Sequence, residues 1–488
     1  MTKQQLQRRR RVGRVIERAR RPDREQMTAL RKHVRLWFVS LVLFVFAFIQ
    51  IELNPFGFSD MIERYAQDVS NLLITGPYFY GTRGRDSIAA AVVDEDTLQT
   101  LKMPWPWDYG AHARVLDALL QYHPKAVVVD FLFVDSRPDP TLRQLIEEIH
   151  RYQSARVPIY FEGGIHLPYG EAALRPELAA TGVKILDPTL PVYAGIARQY
   201  NFTGACFGGS PVNERTCPSL ALQVFKDNYP QYPLATLNGM MELVWGIRVA
   251  PQNAKWITAT DSTGARKSCR FDLKPLRRIF LAFFGPAAVL NPCPYTAEIP
   301  VVSLLEGSDD PDLVALATNR VIFYGGALQG AQDETYTPVN GLLPSVFVHA
   351  MALDNLITYQ GKPKQNVITV WGRTVKSNPA KIIAITPVIL VLSMLHIRRL
   401  RARKIRRSGH GRSVTMEYVF ERGFEHLWHG LAFGLGLGVG LILTLTLGLS
   451  VANWVGIVFI SAELAALLLV GVPESLWGYL SHIVREDS

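Results

Sequence analysis

The 488-residue chain carries none of the short signatures that mark common catalytic sites. There is no G-x-S-x-G elbow, no H-E-x-x-H pair, no phosphate-binding P-loop and no kinase loop set. The sequence therefore predicts neither an enzyme nor a cofactor. Cysteine is also scarce, with four residues, no C-x-x-C spacing and no histidine cluster beside them. That spacing disfavours a structural zinc site. Cys206, Cys217, Cys269 and Cys293 all fall within 54–378, which fits an oxidising compartment. Cys206–Cys217 and Cys269–Cys293 close local loops and are the expected disulfides, with a zinc site as the alternative. No internal repeat is visible. No A-x-A site follows residue 53, so the first apolar segment reads as an uncleaved signal anchor rather than a cleaved leader.

Long apolar segments and clustered positive charge are present. Segments 36–53, 380–397, 427–449 and 453–472 each approach the roughly 20 residues an α-helix needs to cross about 30 Å of hydrocarbon. The formal charge is +10, and much of it abuts these spans. Residues 1–35 hold Arg8 to Arg11, Arg14, Arg18, Arg20, Arg21, Arg24, Arg31 and Arg35, and 398–412 reads RRLRARKIRRSGHGR. Short basic loops stay cytoplasmic. The expected topology is therefore four spans of an inner membrane with both termini inside and 54–378 outside. The basic blocks suit anionic lipid better than nucleic acid.

Within 54–378, apolar runs alternate with helical patterns. Strands are expected at 88–93, 125–133, 157–161, 278–284 and 320–324, and helices at 112–121, 140–152 and 344–359. Continuous Val, Ile and Phe runs between helices predict an α/β fold, with a mainly parallel sheet covered on both faces. The stretch 163–275 is rich in Pro and Gly with weak periodicity, and reads as an insertion.

Four blocks in order give the region a family likeness: IAAAVVDEDTL at 88–98, the WPW turn at 105–107 with its following helix, KAVVVDFLF at 125–133, and NRVIFYGGALQGAQDETYTPVNGLLPSVFVHAMALDNLI at 319–357. Together they resemble the CHASE2 domain, a sensory ectodomain of bacterial membrane receptors. The aromatic-Arg-Gly strand common in that family has LAFFGP at 281–286 as its counterpart, without the arginine. The resemblance implies one N-terminal helix, the ectodomain and a cluster of usually three helices. It also implies, in many members, a kinase or cyclase output domain. Here the chain stops at Ser488, so that output is expected on a separate partner.

Candidate site residues follow from position. Asp94, Asp130, Asp135 and Asp333 lie at or after strand ends, where carboxylates either converge on a ligand or cap turns. Trp105 and Trp107 form either an aromatic platform or a staple holding the loop on the core. His112 and His349 open helices and read as buried structural histidines, with metal ligation or pH sensing as the alternative. No metal site is assigned. In the membrane region, Gly430, Gly434 and Gly438 repeat every four residues, a small-residue face for helix packing against span four or another subunit. Glu463 lies midway along span four, where a carboxylate is costly and often functional. Pro387 is an expected kink in span two. The reading is a periplasmic sensor or scaffold that relays an envelope signal to a membrane or cytoplasmic partner, with homo-oligomerisation open. The alternative is a structural subunit of an envelope assembly. An ectodomain enzyme and a transporter fit less well.

Overall fold

The computed structural model describes residues 34–54, 57–134, 138–163, 165–167, 170–192, 195–207, 214–234, 239–260, 266–268, 293–307, 310–328, 333–364, 367–370, 373–376, 378–408, 431–443 and 451–470, with short pieces to 476. The chain divides into two compact units, 68–366 and a second made of 1–67 with 367–488.

The first unit is built on six strands: β1 (Ile88–Asp94), β2 (Ala126–Asp130), β3 (Ile159–Glu162), β4 (Lys184–Leu186), β5 (Ala297–Pro300) and β6 (Val321–Ala327). Their order is β5-β1-β6-β2-β3-β4, and every pairing is parallel. This is the α/β class and parallel sheet expected from the sequence. The strands are apolar throughout because both faces are buried. Ile88, Ala90 and Val92 of β1 enter one core, while Ala89, Ala91 and Val93 enter the other.

Helices α1 (Glu95–Leu101), α2 (Tyr109–Gln121) and α3 (Leu142–Ser154), then α5 (Val301–Leu305) and α6 (Pro311–Ala317), contribute to one core. Helices α4 (Leu220–Asn228) and α7 (Ser345–Thr358) form the other. Helix α7 is buried from Ser345 to Ile357, so it has no polar face to water. Its Asn355 is satisfied there, accepting from Val244 N at 2.9 Å and donating to Val244 O at 3.0 Å. Asp108 caps α2 by accepting from Ala111 N at 2.7 Å. That bond starts α2 three residues ahead of the expected 112.

Two differences from the sequence reading stand out. Part of the stretch read as an insertion belongs to the sheet: β4 is its outer strand and α4 covers one face. The expected strand at 278–284 lies outside the described residues, and the β5 position is filled by Ala297–Pro300. Segments this short carry no periodic signal, so only tertiary pairing reveals them.

In the second unit, helices Val34–Leu53 and Ala380–Leu400 are long and apolar enough to cross a membrane. The third and fourth expected spans correspond to Leu431–Leu443 and to Val451–Val470, whose apolar stretch Val455–Leu468 is shorter than a span. Val39, Leu43 and Ala47 pack in one cluster with Ala384, Val388, Ile457, Ile460 and Leu464. Pro387 lies inside the continuous helix Asn378–Ser408.

Candidate functional site

The carboxyl ends of β2 and β3 place Asp130 and Glu162 side by side in the sheet, both buried. Helix α7 follows β6, which sits next to β2, and its first turns bring Ser345 and His349 over Asp130. His349 Nε2 lies 3.6 Å from Asp130 Oδ1, and Ser345 Oγ donates to Asp130 Oδ2 at 3.3 Å. This approach needs Gly325 in β6, where a Cβ would come within 2.9 Å of Val346 Cβ and 3.2 Å of Asp130 Oδ2. On the far side of the imidazole, His349 Nδ1 is 2.6 Å from the Tyr200 hydroxyl, which also accepts from Ala221 N at 3.4 Å.

Asp187, just past β4, is fully buried, and its Oδ2 has no hydrogen-bond partner among the described residues. Its Oδ1 accepts from Thr189 N at 3.0 Å. A cavity of about 600 Å³ opens here, lined by Trp105, Asp130, Glu162, Asp333, Ser345 and His349 among others, with no Lys or Arg in the lining. Ligands of open α/β sheets bind beyond the carboxyl ends of strands where connections diverge. Here the cavity lies over the carboxyl ends of β6, β2 and β3.

The electrostatics follow from burial. Glu162 is raised well above the usual carboxylate range, first by loss of water and then by the charge of Asp130. Asp187 is raised by burial as well. Asp333 opens to solvent at the mouth yet is closely surrounded by protein, and burial followed by the Asp130 charge pushes it up. His349 is lowered because burial outweighs the pull of Asp130 and Asp187. Burial thus disfavours the charged form of His349, Glu162 and Asp187 alike.

The family model described as the CHASE2 domain matches residues 38–393. The chain belongs to the CHASE2 domain family. No curated protein and no solved structure matches it. The CHASE2 match covers the whole α/β unit, and with it every residue of the cavity. CHASE2 domains are sensory ectodomains, so a general sensor role follows.

Within this CHASE2 unit, the sequence candidates separate. Asp130 and Asp333 join the cavity. Asp94 does not line it: it caps α1, accepting from Thr97 N at 2.8 Å, so its strand-end position serves the turn. Asp135 lies outside the described residues. Trp105 is partly exposed on the cavity wall, whereas Trp107 is buried and packs near His112, with ring centroids 5.9 Å apart. One tryptophan therefore faces the cavity and the other staples the loop. His112 bonds to the Tyr324 hydroxyl at 2.9 Å and His349 to that of Tyr200, so the two histidines are not a pair. Both are buried, as expected.

Glu162 and Asp187 were missed. The signal for Glu162 was present: it follows the run VPIYF as Asp130 follows AVVV. The three ligand-type groups of Asp130, Glu162 and His349 lie within 4.8 Å of one another, although the sequence reading assigned no metal site. Neither Cys217 nor Cys293 is a free thiol. Cys269 and the Cys206 side chain lie outside the described residues, so the expected pairing does too.

The membrane-region candidates also divide. Gly430 lies outside the described residues. Among the described residues, a Cβ on Gly434 or Gly438 would meet nothing within 4 Å. The interleaved pair makes a contact: a Cβ on Gly436 would lie 3.3 Å from Val391 Cγ2, and one on Gly440 would lie 3.0 Å from Ala384 O, both in helix Asn378–Ser408. Glu463 accepts from Gln50 Nε2 at 3.4 Å, a residue of the first span, and not from the glycine face.

Proposed function

We propose that this chain is a non-enzymatic bacterial inner-membrane sensor with four spans and cytoplasmic termini. In this reading the periplasmic CHASE2 unit recognises an envelope signal in the cavity at the carboxyl edge of its sheet. Its membrane helices, with Pro387, the glycines of span three and Glu463 as contact elements, pass the state to a separately encoded partner. Disulfides Cys206–Cys217 and Cys269–Cys293 brace the periplasmic unit. The observation that carries the reading is the cavity itself: about 600 Å³, within the range of small-ligand sites, walled by Trp105 and floored by buried polar groups.

The test is purification of the full chain from native membranes in mild detergent, with mass spectrometry of what stays bound. It is run in parallel on Trp105→Ala. A kinase, cyclase or transcription regulator whose recovery changes with Trp105→Ala is the expected result. A fixed set of envelope-assembly proteins at constant stoichiometry in both samples refutes the sensor and supports a structural subunit.

A further inference from the structure

We propose that Asp130, Glu162 and His349 form a binding site for one divalent transition-metal ion, of the Mn²⁺ or Zn²⁺ kind, at the floor of the cavity. Asp130 is 4% and Glu162 5% exposed, and no Lys or Arg lines the cavity they border. Buried carboxylates are paired or hold metal, because an isolated one is strongly disfavoured by loss of water. Here no Lys or Arg among the described residues lines the cavity, and the partners of Asp130 are Glu162, Ser345 and His349.

Tyr200 holds His349 at Nδ1, which fixes the ring with Nε2 toward Asp130, 3.6 Å away. In the tautomer that donates from Nδ1 to the hydroxyl, Nε2 offers a lone pair on the side of both carboxyl groups. A histidine fixed through its other nitrogen by a hydrogen-bonding partner is the usual arrangement of a metal ligand.

The three ligand atoms already lie within 4.8 Å of one another. Bonds of about 2.1 Å to a shared ion require separations under about 4.3 Å, which small side-chain rotations achieve. Two carboxylate oxygens with one imidazole nitrogen suit Mn²⁺ or Zn²⁺ better than Ca²⁺ or Mg²⁺, which prefer all-oxygen shells. The remaining coordination positions face the cavity, open to water or to an anionic ligand. This assigns a chemistry to the recognition site proposed above. Its signalling meaning rests on that reading, but the binding does not.

The experiment uses the full chain in mild detergent, stripped with a chelator and titrated with Co²⁺, Mn²⁺, Zn²⁺, Mg²⁺ and Ca²⁺ by calorimetry and visible absorption. Expected are one Co²⁺ per chain with ligand-field bands, displacement by Zn²⁺, and no saturation by Mg²⁺ or Ca²⁺ at matched concentrations. Asp130→Asn and Glu162→Gln each remove a ligand charge and weaken binding at least 10-fold, while Tyr200→Phe weakens it roughly 10-fold through the second layer. Asp94→Asn leaves it unchanged. Thermal unfolding of each variant checks folding, and Glu162→Gln serves if Asp130→Asn does not fold.

Absence of saturable binding, or binding indifferent to both carboxylate variants, overturns the site. Two further results keep the readings apart. Metal binding with an unaltered partner set in stripped and loaded protein refutes the recognition role and leaves the site. Cavity-dependent partner recruitment without metal binding does the reverse.

Discussion

Asp354→Asn should change the pH dependence of stability more than stability itself. Asp354 is fully buried in the middle of α7. Its Oδ1 accepts from the Tyr80 hydroxyl at 2.7 Å and from Thr358 Oγ1 at 2.8 Å, and its Oδ2 has no hydrogen-bond partner among the described residues. Burial pushes its carboxyl up from 3.8 to about 7, against the opposing pull of those two hydroxyls. A raised folded value means the native state holds a proton that the unfolded chain releases. Stability from this group is therefore full below about 4 and is lost as pH rises to about 7, with no further loss above. A shift of about three units at 1.36 kcal/mol each amounts to about 4 kcal/mol.

Asparagine keeps the acceptor that Tyr80 and Thr358 need and cannot ionise. Relative to the parent, the variant should thus gain about 4 kcal/mol between pH 4 and pH 8. At roughly 2 °C per kcal/mol for a large domain, the gap between the two melting temperatures should widen by roughly 8 °C over that range. Differential scanning fluorimetry of full-length protein in detergent at several pH values reads it directly. Parallel melting curves across the range would refute the assignment of a protonated Asp354.

Two predictions concern the membrane-region unit. Lys381 Nζ lies 2.7 Å from both carboxylate oxygens of Glu63, with side chains only 8% and 13% exposed. Lys381→Met should cost about 3–5 kcal/mol by removing that cation from a shielded carboxylate, and adding Glu63→Gln should restore most of it. Thermal unfolding of both variants settles this, and equal melting temperatures for single and double variants would count against it. Gly440→Leu should lower the melting temperature in detergent, because its side chain meets Ala384 O, whereas Gly438→Leu should leave it near the parent value. The reverse order would place the packed face on the other glycine set.

The extent to which the sequence announced this fold depends on which residues carry a repeating pattern. Strands β1, β2 and β6 are long enough for their unbroken apolar character to mark them, and α7 announces itself by helical spacing. Strands β4 and β5, of three and four residues, have no periodicity to read. Among site residues, Asp130 was legible from its place after a buried strand. His349 was visible as a histidine on an apolar helix, but its role depends on Tyr200, from 149 positions away. Glu162 ends a strand of only four residues, too short for its place beside Asp130 to be read from the sequence. The glycine repeat shows the limit of spacing arguments. Two interleaved sets share one interval, and only a neighbouring helix distinguishes 436 and 440 from 434 and 438.

The strand order also bears on how the unit is made. The last strand of the sheet to leave the ribosome, β6, fills the place between β1 and β2. Until residues 321–327 have been synthesised, the six-stranded sheet lacks its joining strand and leaves two parts, each with a bare edge at the future seam. Bare parallel edges are templates for wrong pairing, and contacts this distant in sequence form slowly. A chain halted before that strand would hold the two parts without the piece that joins them. Arrival of β6, rather than of the strands before it, therefore sets when this domain becomes one body.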